Sequence, residues 1–141
     1  MRILVPLDGS ELAESAIPVA ARLARSARAD IVLLAVGDLP ETSTDALAIR
    51  TELQERIKRA RSSIPDVTVH ALVEMHDDPA AVITQAAATQ QVDLIVMATH
   101  GRGGISQLLQ GSIASKVVRE SPVPVTLVRP QQLRDAARGA S

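Results

Sequence analysis

The chain has 141 residues, 15 basic and 16 acidic side chains, a net charge of −1 and no cysteine; this fits one domain able to bury its own core and excludes disulfides, thiolate chemistry and cysteine-ligated metal. Charges of both signs are interleaved and there is no Phe, Tyr or Trp, so nothing favours nucleic acid or an anionic membrane, and no ring is available to stack on a base. The opening apolar stretch stops at Asp8 and no apolar run reaches the length of a membrane span, so the sequence reads as a cytoplasmic protein that is not exported.

Ile3 to Leu7 forms the first expected strand. Ser10 before Glu11 marks a helix N-cap with an acid in the first turn, and Leu12, Ala13, Ala16, Ile17, Ala20, Leu23 and Ala24 share one helical face. Pro18 lies inside that helix, removes one hydrogen bond and predicts a bend. Ile31 to Val36 is a second strand, followed by a helix whose apolar face is Ala46, Ile49, Leu53, Ile57, Ala60 and Ile64. Its basic run, Arg56, Lys58, Arg59 and Arg61 with Glu52 and Glu55 ahead of it, reads as a solvated face with local ion pairs. Val67 to Val73 alternates, the mark of a more exposed strand. Asp78-Pro79 is an N-cap followed by proline at the first helical position, opening a helix over Ala80 to Ala88. Glu74, His76, Asp77 and Asp78 around that turn read as capping and solvated groups rather than a metal set. Leu94 to Ala98 is the fourth strand, Ile113, Val117 and Val118 mark the last helix, and Val123 to Val128 is the fifth strand.

Continuous apolar runs suit parallel strands covered on both faces. Five strands alternating with four helices predict a doubly wound α/β domain with strand order 3-2-1-4-5 over residues 1–130, and Gln131 to Ser141 reads as a polar tail. Such sheets take ligands beyond the carboxyl ends of the strands where strand order reverses. The first and fourth strands exit there through Pro6-Leu7-Asp8-Gly9-Ser10 and Ala98-Thr99-His100-Gly101.

The fourth exit continues through Arg102-Gly103-Gly104 to Gly111-Ser112. A Gly-rich loop between a buried strand and a helix offers free N–H groups and a positive helix end to an anion. A P-loop is excluded, because Ser112 and Ile113 follow Gly111 and the only lysines are Lys58 and Lys116. A dinucleotide fingerprint is excluded too, since Gly101 and Gly103 are followed by Ser106 at the third glycine position. Gly101, nine residues and Gly111-Ser112 remain, long enough to wrap a polyphosphate. Arg102 adds a guanidinium suited to phosphate oxygens. His100 has no Ser-His-Asp arrangement around it and reads as a hydrogen-bonding loop residue, and no catalytic residue emerges. On sequence neighbourhood alone, Asp8 either meets a ligand or caps the first helix beside Ser10.

From Arg2 to about Arg129 the chain resembles the universal stress protein family. The resemblance rests on Ile3 to Ser10, His76-Asp77-Asp78-Pro79, Met97 to Gly104, Gly111-Ser112 and Pro122-Val123-Pro124-Val125, in that order. It is similar to the ATP-binding branch, whose fingerprint is Gly, two residues, Gly, nine residues, Gly-Ser/Thr, except that Ala98 stands where the first glycine would be. Alanine adopts positive φ only at a cost and adds a methyl group where a ligand can approach. The resemblance implies that Asp8 meets the adenine or ribose side of a nucleotide, with Pro6 and Leu7 around it and backbone at Ala35 or Val36 closing the base pocket. It further implies ribose and α-phosphate contacts from Met97, Ala98, Thr99, His100 and Gly101, and β- and γ-phosphate contacts from Gly111, Ser112 and Ile113, with Mg²⁺ sharing the triphosphate.

The fifth strand, at a sheet edge, is expected to pair with a second copy about a two-fold axis, centred on Val125 to Val128 because Pro124 limits pairing. The leading expectation is an ATP-binding homodimer of the stress response with at most slow hydrolysis or autophosphorylation, cyclic AMP being a variant ligand. The alternative is a dimeric interaction module that binds no nucleotide. An adenylate-forming enzyme ranks last, since Asp8-Gly9-Ser10 supplies neither a Ser-Gly-Gly-x-Asp-Ser loop nor a His-Ile-Gly-His motif.

Overall fold

The computed structural model describes residues 1–98 and 111–129. In chain order the elements are β1 (Arg2–Leu7), α1 (Glu11–Glu14), α2 (Ile17–Ala27), β2 (Asp30–Gly37), α3 (Ser43–Ser63), β3 (Val69–Met75), α4 (Pro79–Thr89), β4 (Leu94–Ala98), α5 (Gly111–Glu120) and β5 (Val125–Val128). The strands form one sheet in the order β3-β2-β1-β4-β5, all pairs parallel. This is the doubly wound arrangement expected from the continuous apolar runs. Ile3, Leu4 and Val5 of β1, Ile31 to Leu34 of β2, and Ile95 and Val96 of β4 are wholly inaccessible to solvent, and each such side chain contributes roughly 1.5–3 kcal/mol through burial. The core is aliphatic throughout, with Ala13, Ala16, Ala20, Ala21 and Ala24 letting α1 and α2 lie close to the sheet.

The first of the four helical segments arrives in two pieces, α1 and α2. Ser15 and Ala16 keep right-handed helical backbone between them, with φ/ψ of −63°/−16° and −76°/−20°. Pro18 therefore falls in the first turn of α2, where its missing N–H costs nothing in the new helix. Ala16 N–H bonds Ala13 and Ala20 N–H bonds back to Ala16, so the bend is a brief tightening and restart of the ladder. Arg28, at φ 54° and ψ 45°, ends α2 in left-handed backbone.

Several expected boundaries and faces shift. Leu23 and Val118 were expected on buried helical faces but lie at the surface, where α5 buries Ala114 and Val117 instead. Strand β3 begins at Val69, since Val67 N–H is taken by the carbonyl of Ile64 in the turn after α3. Strand β5 begins at Val125 rather than Val123: the Ser121 hydroxyl bonds both N–H and C=O of Val123 before Pro124 releases the chain into the ladder. Among the described residues the basic run of α3 makes no helix-local pair; Arg56 reaches across to Glu14 of α1 at 2.6 Å. The tail expected over residues 131–141 lies outside the described residues.

Candidate functional site

Strands β1 and β4 are neighbours, with Ile3 opposite Leu94 and Leu4 opposite Ile95. The chain leaves β1 toward β2 but leaves β4 toward β5, so the two exits diverge and open a crevice at the carboxyl edge of the sheet. Continuing the register sets Leu7 level with Ala98, while Leu7 pairs with Ala35 on β2 and Ala98 with Val128 on β5.

On the β1 side the turn is built by Asp8-Gly9-Ser10. Gly9 has φ +87°, a conformation open to glycine at little cost. It folds the chain back so that Asp8 Oδ1 accepts from the Ser10 N–H at 2.9 Å and from the Ser10 hydroxyl at 2.5 Å. The Ser10 hydroxyl in turn accepts from Ala13 N–H at 3.1 Å, as the N-cap of α1. Asp8 thus braces the cap rather than capping directly, and its half-buried carboxylate is held at the mouth of the crevice. Of the two readings of Asp8, the structure shows the structural one: its carboxylate holds the serine that caps α1.

The β4 side ends in Met97 and Ala98, both about 1% exposed. Ala98 is the last residue of the strand, is paired with Val128, and is absent from the positive-φ positions, which among the described non-glycine residues are Arg28 and Gln91. Its backbone is therefore one that alanine adopts freely. Pro6, Leu7 and Val36 are likewise buried, so they and Met97 form an apolar floor at this edge of the sheet. Beyond Val36, Gly37 is hemmed by α3 and β3: a Cβ there would meet Leu53 Cδ1 at 3.0 Å, Ile49 Cγ2 at 3.1 Å and Met75 Sδ at 3.1 Å.

Gly111 and Ser112 open α5, and half-buried Ile113 packs against the core. Lys116, one turn on, places Nζ 3.2 Å from Asp78 Oδ2. Asp78 is the N-cap of α4, its Oδ1 accepting from Ala81 N–H at 3.2 Å. The Ala81 N–H, and then the Lys116 ammonium, hold the Asp78 carboxyl below the usual range. This pair ties the N-cap of α4 to the second turn of α5, and nothing in the local sequence signals a partner 38 residues away. His76 Nδ1 accepts from Asp78 N–H at 2.9 Å; carrying no proton there, it has none to donate to Asp77 Oδ1 at 3.2 Å. Thr99, His100, Gly101 and Arg102 lie outside the described residues. Of the expected site residues, the structure therefore brings Pro6, Leu7, Asp8, Val36, Met97 and Ala98 to one sheet edge, with Gly111, Ser112 and Ile113 in the first turn of the helix that follows β4.

A sheet of this order, with a polar turn after β1 facing the divergence from β4, defines a doubly wound α/β domain with a switch-point crevice at its carboxyl edge. The chain belongs to the universal stress protein family, which it matches over residues 1–129. It is 35% identical over 133 residues to a universal stress protein of Thermus aquaticus, covering 90% of this chain and 97% of that one. A universal stress protein of Mycolicibacterium smegmatis is 34% identical over 92% of this chain, which spans 46% of that longer protein. The crystal structure of a family protein from Burkholderia pseudomallei superposes with a TM-score of 0.74 at 28% identity, covering 90% of this chain and 94% of that one. Structures of universal stress proteins from Archaeoglobus fulgidus in complex with dAMP and from Arabidopsis thaliana with AMP bound share the fold, at TM-scores of 0.67 and 0.65, identities of 23% and 20%, and coverage of 91% and 93% of this chain and 97% and 92% of theirs. Among the described residues no helix is long and apolar enough to cross a membrane.

Proposed function

We propose that this chain binds an adenine nucleotide, ATP with Mg²⁺, in the crevice between the ends of β1 and β4, and acts as a cytoplasmic homodimer in the stress response. The observation that carries the reading is the pairing of a braced carboxylate at Asp8 with a helix start at Gly111-Ser112 on the two sides of the switch point. Asp8 suits the hydroxyls and amine of a nucleoside as an acceptor. The N–H groups of the first turn of α5 suit phosphate oxygens. Arg102 and Gly101 of the intervening sequence add charge and close approach. The dAMP and AMP complexes of fold relatives support the choice of ligand class. The residues present fit a nucleotide: a polar mouth over an apolar floor with a helix N-terminus beside it. A metal ion bound with the triphosphate would offset its charge.

The chain's own residues bind and orient; no general base with an activated nucleophile is in place among the described residues, so turnover by positioning alone is slow. Dimerisation is assigned to β5, an edge strand whose Leu127 is 44% exposed. Residues 1–130 form the working domain and residues 131–141 a polar tail. The test is calorimetry with Mg-ATP, AMP and cyclic AMP, together with mass spectrometry of the small molecules released by denaturing the purified protein. An adenine nucleotide in the extract and saturable one-site binding are expected. An empty extract with no heat for any of the three leaves the interaction module without nucleotide.

A further inference from the structure

At the other end of the sheet, β3 is an edge strand. Ile31 N–H bonds the Thr68 carbonyl and His76 N–H bonds the Gly37 carbonyl. In a parallel ladder this alternation turns the even-numbered residues of β3 toward β2 and leaves the N–H and C=O groups of Val69, Ala71, Val73 and Met75 pointing outward. Arg61 of α3 donates to the Val69 carbonyl, which confirms that phase and satisfies one of these groups. Nothing among the described residues takes those of Ala71 and Val73.

The same strand edge borders a groove of about 470 Å³ under α3. Ile57, Ala71 and Val73 form its apolar floor, Arg50, Lys58 and Arg61 its rim, and no carboxylate lines it. The side chains of Arg50 and Lys58 make no ion pair or hydrogen bond among the described residues. Three cations, an apolar floor and unpaired main-chain groups thus converge on one edge. We infer that the β3 edge is a docking site for an extended acidic segment of a partner protein, which adds as a strand to β3 and sets alternate carboxylates against Arg50, Lys58 and Arg61. The main-chain pairing supplies affinity, and the period-two placement of acids supplies specificity.

Charge complementarity selects the occupant. The tail of this chain carries Arg134 and Arg138 against the single acid Asp135, and residues 99–110 contain no acid, so neither segment complements the rim. A single-stranded nucleic acid would find the cations but no aromatic ring to stack on. Lysine and arginine at an edge also guard against self-pairing, and the experiment separates guarding from docking.

The probe is a fluorescein-labelled eight-residue peptide of alternating Glu and Val, titrated into the full chain by fluorescence anisotropy, with backbone amide exchange followed by NMR. Saturable binding is expected, with exchange at Ala71 and Val73 slowed about tenfold or more. Combining Arg50→Glu with Lys58→Glu should weaken binding at least about tenfold while leaving the urea midpoint unchanged, because both side chains are exposed. Alternating Lys and Val, or the Glu peptide N-methylated at every Val, should not bind. The proposal is overturned by absence of binding, by equal binding of the N-methylated peptide, or by binding of an oligothymidylate that matches the peptide and leaves Ala71 and Val73 exchange unchanged.

Discussion

Replacing Ala98 with glycine restores the residue found at the start of the ATP-binding fingerprint, and the structure predicts that this makes the protein worse, not better. Ala98 sits in extended backbone at the end of β4, about 1% exposed and paired with Val128. Removing its methyl group forfeits about 0.8 kcal/mol of apolar burial. Glycine in a strand costs a further 0.5–1 kcal/mol, roughly, through the freedom it recovers on unfolding. The sum is about 1.5 kcal/mol, and at about 2–4 °C per kcal/mol for a chain of this size the melting temperature should fall by about 3–6 °C. Thermal and urea unfolding followed by far-ultraviolet circular dichroism measures this. Because the position does not use left-handed backbone, calorimetric affinity for Mg-ATP should change by less than about threefold. An Ala98→Gly protein that binds at least about tenfold more tightly with an unchanged melting temperature would refute the reasoning and make the methyl group a steric block.

Gly9→Ala should cost roughly 1–2 kcal/mol through its φ of +87° alone, since the new Cβ meets Leu53 Cδ2 at an ordinary 3.6 Å; a urea midpoint equal to that of the native chain counts against the Asp8-Ser10 turn. Arg28→Gly should stabilise by about 0.5–1 kcal/mol, because an exposed arginine occupies left-handed backbone at the end of α2, and a lower melting temperature would contradict this. Asp78→Asn keeps a capping oxygen but loses the charge paired with Lys116. The native carboxyl is held below its unfolded value, so its contribution is fully present above about pH 4 and fades as pH falls through the folded value. The gap in urea midpoint between native and Asp78→Asn proteins should therefore narrow between pH 6 and about pH 3, and a constant gap would remove the pair from the account.

The sheet was legible because β1, β2 and β4 are buried on both faces and so must be continuously apolar, whereas β3, at the sheet edge, exposes His70, Ala71 and Glu74 and so carries polar residues among its apolar ones. Boundaries were less legible where a single hydrogen bond decides them: Val67 is as apolar as Val69, yet the Ile64 carbonyl claims it. Pro18 announced a bend, but not that the helix would break and restart at the residue just before it. At the site, the neighbourhood of Asp8 left it open between a ligand contact and a helix cap, and only the resemblance assigned it to a nucleotide; the turn it braces with Ser10 became visible in the structure. The partners of Lys116 and Arg56 were hidden because helix-local charge rules see only positions three or four apart; the acids these two cations engage lie on other elements.

The aliphatic core has an optical consequence. With no Phe, Tyr or Trp in the chain, the protein has no aromatic chromophore, and its near-ultraviolet spectrum is almost blank. A purine retained through purification would supply essentially the whole absorption band, so occupancy could be read from a spectrum against total peptide without extracting the ligand. The packing of the sheet with Val, Ile, Leu and Ala thus leaves the folded protein transparent at the wavelengths where a purine absorbs.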